Sequence, residues 1–150
     1  FEARLAKDEF LEWAKVFDNY YGTHRSELDR AATAGEDLVL DIDVQGARQL
    51  KGKILHAVSI FILPPSRQVL EERLRTRSQD TETVIGRRLE EAAEEIRNYS
   101  QYDYVLVNRE VQASTDNLAA IVRSVRSRRD RMEQEIRPIL ETFEDGRHKP

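Results

Sequence analysis

Cysteine is absent from the 150 residues, which excludes disulfides, thiolate metal sites and a cysteine nucleophile. A chain without thiols fits a reducing compartment, and the cytoplasm is the expected location. Long apolar runs are missing too. The longest, around Ile60 to Leu63, stops at Pro64-Pro65 and is far too short to span a bilayer. No signal-peptide pattern is present in these residues, so no membrane partner is expected. Nor is there an excess of positive charge: 24 Lys and Arg against 28 Asp and Glu give a formal net charge of −4. No global basic field draws the chain to nucleic acid. His24, His56 and His148 are scattered without ligand spacing, and no protein metal site is expected.

What is present amounts to one domain of ordinary length, able to bury roughly 70% of its unfolded surface. The chain opens at Phe1 with residues that read as the middle of an element, so the expectation is that the domain's N-terminal part lies upstream. The stretch that organises the rest is Leu38-Val-Leu-Asp-Ile-Asp-Val-Gln-Gly-Ala47. Its apolar, β-branched start reads as a buried central strand. Alternation would project Asp41 and Asp43 to one side, at the C-terminal edge where open α/β sheets bind ligands. The competing assignment makes one Asp the cap of the following helix and leaves the other solvated. These residues alone do not choose between the two.

Along the chain, residues 1–7 read as the tail of a helix. The run Phe10-Leu-Glu-Trp-Ala-Lys-Val-Phe17 fits a period of two or a helical face, and its aromatic and β-branched content favours a strand. Asp18-Asn19 is then a turn and Tyr20 to Thr23 a second strand. A helix over 25–34 stops at Gly35. A short helix around 47–50 precedes a buried strand over 57–63. Ser66 caps a helix carrying Val69, Leu70 and Leu74, the pattern breaks over 76–80, and a stronger helix runs from Thr81 to about Tyr99. Tyr104 to Val107 is a third short buried strand. One long amphipathic helix is expected from about Ser114 to Phe143, with Leu118, Ile121, Val125, Met132, Ile136 and Leu140 inward, and residues 144–150 read as a frayed tail. Strands alternating with helices imply an α/β fold with a parallel sheet.

Two constellations could carry chemistry. Arg73, Arg75 and Arg77 flank the helix break, with Arg87 and Arg88 in the first turns of the next helix. They either hold an anion, since guanidinium matches phosphate bidentately, or form a solvated surface laced with Glu71, Glu72, Glu90 and Glu91. Glu12, Tyr21, Thr23 and Asp43 mix carboxylates with hydroxyls, suiting a ligand edge with adjacent N–H donors and a carbonyl, as guanine has. The five arginines of residues 123–131 lie mostly off the apolar stripe without an aromatic platform, and read as a solvated face.

Taken in order, Phe10-Leu-Glu-Trp-Ala, Asn19-Tyr-Tyr-Gly-Thr23, Leu40-Asp-Ile-Asp-Val-Gln-Gly46, Ile60-Phe-Ile-Leu-Pro-Pro-Ser66, Arg73-Leu-Arg-Thr-Arg77, Arg87-Arg-Leu89 and Tyr102-Asp-Tyr-Val-Leu-Val-Asn108 resemble the guanylate kinase family. The resemblance implies a P-loop nucleoside monophosphate kinase fold, with a GMP-binding subdomain over 7–36 and a helical lid over 73–90. It implies ATP as phosphoryl donor, Mg²⁺ carried with the nucleotide, and conversion of GMP to GDP. By position, Glu12 and Asp43 match the carboxylates that accept from guanine N1–H and N2–H₂. Thr23 matches the hydroxyl facing O6, Tyr21 the phenol on the GMP phosphate, and Asp41 the acid near the Mg²⁺ and phosphates. Arg73, Arg77 and Arg88 match lid arginines that close over the ATP phosphates and the transferring group, and Asn108 lies where the family contacts adenine.

The family's phosphate loop, G-x-x-x-x-G-K-[ST], occurs nowhere in these residues, and neither does its Ser-His-Thr-Thr-Arg type segment. Ser78 stands where the family usually has Gly. The expectation is therefore a kinase as the full-length protein, with the 150 residues alone inactive. The alternative is a guanylate-kinase-like module that has lost catalysis and binds phosphopeptides. Such modules typically disrupt the Asp-x-Asp-x-Gln-Gly segment and the lid arginines that this chain keeps. No feature of the sequence sets an oligomeric state.

Overall fold

The computed structural model describes residues 1–16, 19–77 and 80–145. The expectations for Phe17, Asp18, Ser78, His148 and most of the 144–150 tail lie outside those residues. The described chain falls into two compact units, residues 1–59 with 97–101, and residues 60–96 with 102–145.

In the first unit a short helix α1 (Glu2–Leu5) leads into an antiparallel pair, β1 (Phe10–Val16) and β2 (Asn19–His24). The aromatic-rich run is a strand, as its composition favours. Phe10, Leu11, Glu12 and Ala14 are buried. Helix α2 (Arg25–Ala34) ends at Gly35 with φ 67°, a left-handed stop that glycine takes without strain. Helix α3 (Val44–Leu50) packs on β1 with Val44 and Gly46 buried.

The expected central strand over 38–43 is not formed. Residues 36–43 have no regular structure, Asp41 is exposed and Val39 is 80% exposed. A strand exists through paired backbone N–H and C=O groups. Among the described residues the ladders join only β1 to β2 and the two strands of the other unit, so β-propensity alone does not make 38–43 a strand.

The second unit is built on a parallel pair, β3 (Ile60–Leu63) and β4 (Tyr104–Val107), in register from Ile60↔Tyr104 to Leu63↔Val107. Helix α4 (Arg67–Arg77) starts under the Ser66 hydroxyl, which accepts from Val69 N at 3.2 Å. Helix α5 (Glu82–Glu95) starts under Thr81 and buries Ile85 and Leu89, then tightens to a 3₁₀ turn over Ile96–Gln101.

The long C-terminal helix is a correction. It divides into α6 (Val111–Arg126), a 3₁₀ turn (Arg129–Arg131) and α7 (Glu133–Asp145). The break falls in the arginine run, where a continuous helix would stack like charges three residues apart, Arg123 on Arg126, Arg126 on Arg129 and Arg128 on Arg131. Ser127 turns its hydroxyl back onto the Arg123 carbonyl at 3.1 Å. Val125 is buried, but Ile136 and Leu140, expected inward, are exposed, as are Ile139 and Phe143. No described helix is long and apolar enough to cross a membrane.

Burial sets the expected costs of substitution. Leu106→Ala, at a core position of β4, should destabilise by about 3 kcal/mol. Leu140→Ala on α7 should cost less than about 0.5 kcal/mol. Urea unfolding followed by circular dichroism checks both, and equal costs would mean that the α7 face is covered in solution.

Candidate functional site

In the first unit the site residues stand on the hairpin and on α3. Cross-strand pairing sets Glu12 opposite Thr23 and Ala14 opposite Tyr21. Alternate residues share a face, so Glu12, Thr23 and Tyr21 are carried together on one side of the hairpin. Glu12 is 3% exposed, the only buried charged side chain among the described residues. A buried carboxylate is costly unless hydrogen-bonded, and Thr23 Oγ1 donates to its Oε1 at 2.6 Å. The O6-facing role implied for Thr23 requires that proton to turn from Glu12 to a ligand. Tyr21 is 59% exposed.

Glycine makes room for the Glu12 carboxylate. A Cβ at Gly46 would lie 2.5 Å from Glu12 Oε2 and 3.3 Å from its Cδ, so α3 approaches β1 this closely only because position 46 has no side chain. A Cβ at Gly22 would likewise meet the Glu12 carbonyl oxygen at 2.9 Å and Trp13 Cβ at 3.1 Å.

Asp43 and Asp41 divide as the competing assignment has it. Asp43 caps α3, accepting from Gly46 N at 2.9 Å through Oδ1 and from Gln45 Nε2 at 3.1 Å through Oδ2. Asp41 is solvated. Capping holds Asp43 at the end of α3 whose Gly46 touches Glu12, so the two carboxylates belong to one assembly.

Two residues of that assembly went unrecognised in the sequence. A glycine inside a helical pattern is a signal of close approach, and Gly46 carried it. Gln49 carried none. Its side-chain amide accepts from Trp13 N at 3.2 Å and donates to Trp13 O at 2.5 Å. An open groove of about 410 Å³ in this unit is lined by Phe1, Arg4, Phe10, Tyr20, Tyr21 and Gly22, and takes in none of Glu12, Thr23, Asp41 or Asp43.

The second unit carries the arginines and Asn108. Helix α4 extends to Arg77, so Arg73 and Arg77 stand one turn apart on it. Arg73 Nη2 donates to the Arg109 carbonyl at 3.1 Å. The Arg77 residue is exposed, and its side chain has no hydrogen bond or ion pair among the described residues. Arg88 on α5 pairs with Asp80 at 3.0 Å. Arg75 bridges the helices, bonding Glu71 at 2.9 Å and Glu82. The bonds from Arg75 hold the Glu82 carboxyl below its ordinary value, and Glu82 with Glu71 raises the Arg75 guanidinium further above its own. Arg87 pairs with Glu91 at 2.9 Å. Of the five arginines singled out, Arg75, Arg87 and Arg88 are therefore engaged by acids. Asn108 follows β4 directly: its N–H continues the ladder to Leu63 O at 2.8 Å, and its Oδ1 accepts from Ser114 Oγ at 3.1 Å. It stands at the C-terminal end of a parallel pair, the usual ligand edge of such sheets.

Comparison with known proteins supplies what geometry alone does not. A family model described as guanylate kinase matches residues 1–125. The guanylate kinase of Methylococcus capsulatus is 51% identical over 126 residues, which are 84% of this chain and 62% of that protein. The guanylate kinase of Vibrio vulnificus strain YJ016 is 46% identical over 143 residues, 95% of this chain and 69% of that protein. Among solved structures, the crystal structure of guanylate kinase from Anaplasma phagocytophilum matches with a TM-score of 0.72 and 33% identity, covering 87% of this chain and 63% of that one. This chain thus spans about 62% of the length of the Methylococcus relative. With the ordered motifs on an α/β framework, these matches show that the chain belongs to the guanylate kinase family.

Proposed function

We propose that these residues carry the guanine-reading and phosphate-facing groups of a guanylate kinase, which phosphorylates GMP to GDP with ATP. The observation that carries this reading is the buried Glu12 carboxylate, fixed by Thr23 and seated against Gly46 on the helix that Asp43 caps. Ionised carboxylates only accept hydrogen bonds. Guanine offers donors at N1–H and N2–H₂, whereas adenine has a lone pair at N1 and no 2-amino group. The relatives named above are all guanylate kinases, which favours this over the phosphopeptide-binding alternative.

In the reaction a GMP phosphate oxygen attacks the γ-phosphorus of ATP, forming the new P–O bond as ADP leaves. The protein's part is positioning and charge stabilisation. Tyr21, exposed on the hairpin face, is suited to the GMP phosphate. Arg73, Arg77 and Arg88 supply guanidinium groups to phosphate oxygens, and Asn108 offers an amide to adenine. No cluster of three or more potential metal ligands occurs among the described residues. A solvated Asp41 fits a Mg²⁺ borne by the nucleotide, since that ion keeps most of its waters and takes one or two carboxylates. There Mg²⁺ would neutralise phosphate charge. Such an enzyme works where GMP and ATP are at hand, in keeping with a cytoplasmic location.

Three expectations test the reading. GMP should bind this chain and AMP should bind far more weakly, because a site built on such hydrogen bonds can reject an analogue by about 10⁴-fold. Glu12→Gln and Asp43→Asn should erode that preference; Asn still caps a helix, so the second change isolates the charge. Comparable GMP and AMP affinities in calorimetric titration of the unmutated chain would sink the assignment.

Gly46→Ala should drive the Glu12 carboxylate from its seat and weaken GMP binding by about tenfold, the value of one hydrogen bond to a charged group. Unchanged affinity would show that the carboxylate takes no part.

In a chain completed with the family's phosphate-loop segment, Arg77→Ala and Arg88→Ala should lower kcat by about 10³-fold with little change in GMP affinity. Parental turnover in a coupled ADP-release assay would return both arginines to the solvated surface.

A further inference from the structure

We propose that Gln49 is a positioning residue for guanine selectivity, acting through the peptide of Trp13 to fix the register of α3 against β1. The inference deepens the guanine-reading assignment and rests on it. Trp13 directly follows Glu12, and its backbone N–H and C=O are both taken by the one Gln49 amide, at 3.2 Å and 2.5 Å. A side chain that both accepts and donates does here what a neighbouring strand would do. It fixes the helix along the strand as well as against it, because sliding α3 would break both bonds.

One turn before Gln49 on the same helix, Gly46 abuts Glu12 Oε2, and Asp43 caps the helix start. Gln49, Gly46 and Asp43 recur every three residues along α3, so the bond at one end sets where the Asp43 carboxylate stands relative to Glu12. On its other side α3 is held by Arg48 to Asn98 at 2.6 Å and by Lys51 to the Gln101 carbonyl at 2.9 Å. Neither of those bonds reaches β1. A pair of acceptors that must meet two adjacent donors has a tolerance of only about 0.5 Å, and Gln49 is the side chain bonded to the strand that carries the other acceptor.

The test uses the chain's single tryptophan, Trp13 itself, as the fluorescent reporter of titrations with GMP and with AMP, backed by calorimetry. Gln49→Met keeps the length and removes both hydrogen bonds. It should weaken GMP binding by about tenfold or more, equivalent to losing one charge-assisted hydrogen bond, while AMP affinity stays as it was, so that the GMP:AMP ratio collapses. Gln49→Glu keeps the acceptor and loses the donor, and its ratio should fall between. A lowered melting temperature with an undiminished ratio would mean that Gln49 is merely structural, and overturns the proposal. If Gln49→Met fails to fold, the ratio in Gln49→Glu decides, and a parental value overturns it. If the unmutated chain itself does not prefer GMP, the guanine reading falls and this inference with it. If the unmutated chain prefers GMP and both variants keep the full preference, only the role of Gln49 is lost.

Discussion

The burial of one carboxylate constrains the first unit more than any other interaction. Glu12 sits on a strand whose neighbours Leu11 and Ala14 are core residues, where an ion would ordinarily be driven out by its desolvation cost, several kcal/mol even after relaxation. It stays because its surroundings are fitted to it. Thr23 places a hydroxyl proton on one oxygen, and position 46 withholds the methyl group that would occupy the other oxygen's space. Gly22 lets the partner strand close over the Glu12 carbonyl. Residues 12, 22, 23 and 46 therefore form one coupled unit, in which changing any member changes the cost of the buried charge. A core that needed only hydrophobic closure would have used an apolar residue at position 12.

What could be read from the sequence follows the range of the forces involved. Caps and stops have local causes, so Ser66, Thr81 and Gly35 fall where their chemistry requires. The paired strands β1 and β2 were legible because both runs are rich in aromatic residues, and Tyr104 to Val107 because a short apolar run has little else to become. Residues 38–43 carry the same composition but have no ladder partner among the described residues, and pairing is a property of two segments that one segment cannot reveal. The C-terminal helix misled for a different reason. Its apolar stripe continues smoothly through residues 118–143, while the break comes from clustered positive charge and a hydroxyl turned back on the backbone, which hydrophobic period does not register.

The candidate site divides along the same line. Residue types suggested a guanine-like edge without specifying it, since carboxylates beside hydroxyls also cap helices and bond to one another. They left open which Asp would be the cap, and they did not tell that Thr23 would commit its proton to Glu12. The arginines looked equivalent in the sequence and are not. Arg75 ties α4 to α5 through Glu71 and Glu82, Arg87 answers Glu91, Arg73 leans on a carbonyl, Arg88 meets Asp80, and Arg77 stays open to solvent. Which guanidinium is occupied depends on which acid the fold brings within reach, and that is set by helix register.

Reading a base and steadying a transferring phosphate make opposite demands on burial. A carboxylate that must distinguish N–H from a lone pair works best when water cannot substitute for the correct ligand, so desolvation turns an unmatched base into an unpaired buried charge. The burial of Glu12 suits the base-reading role proposed for it. Guanidinium groups that act on phosphate must instead exchange one set of partners for another during a catalytic cycle. Exposed ion pairs and single hydrogen bonds, worth about 0–1 kcal/mol each, allow that exchange at small cost. On the proposed function Arg77 and the lightly held Arg73 would be arginines of this kind, and burying them as Glu12 is buried would oppose that exchange. The uneven distribution of burial among these residues thus fits the two kinds of chemistry proposed for them: a buried acceptor on the hairpin, and cations on helix surfaces.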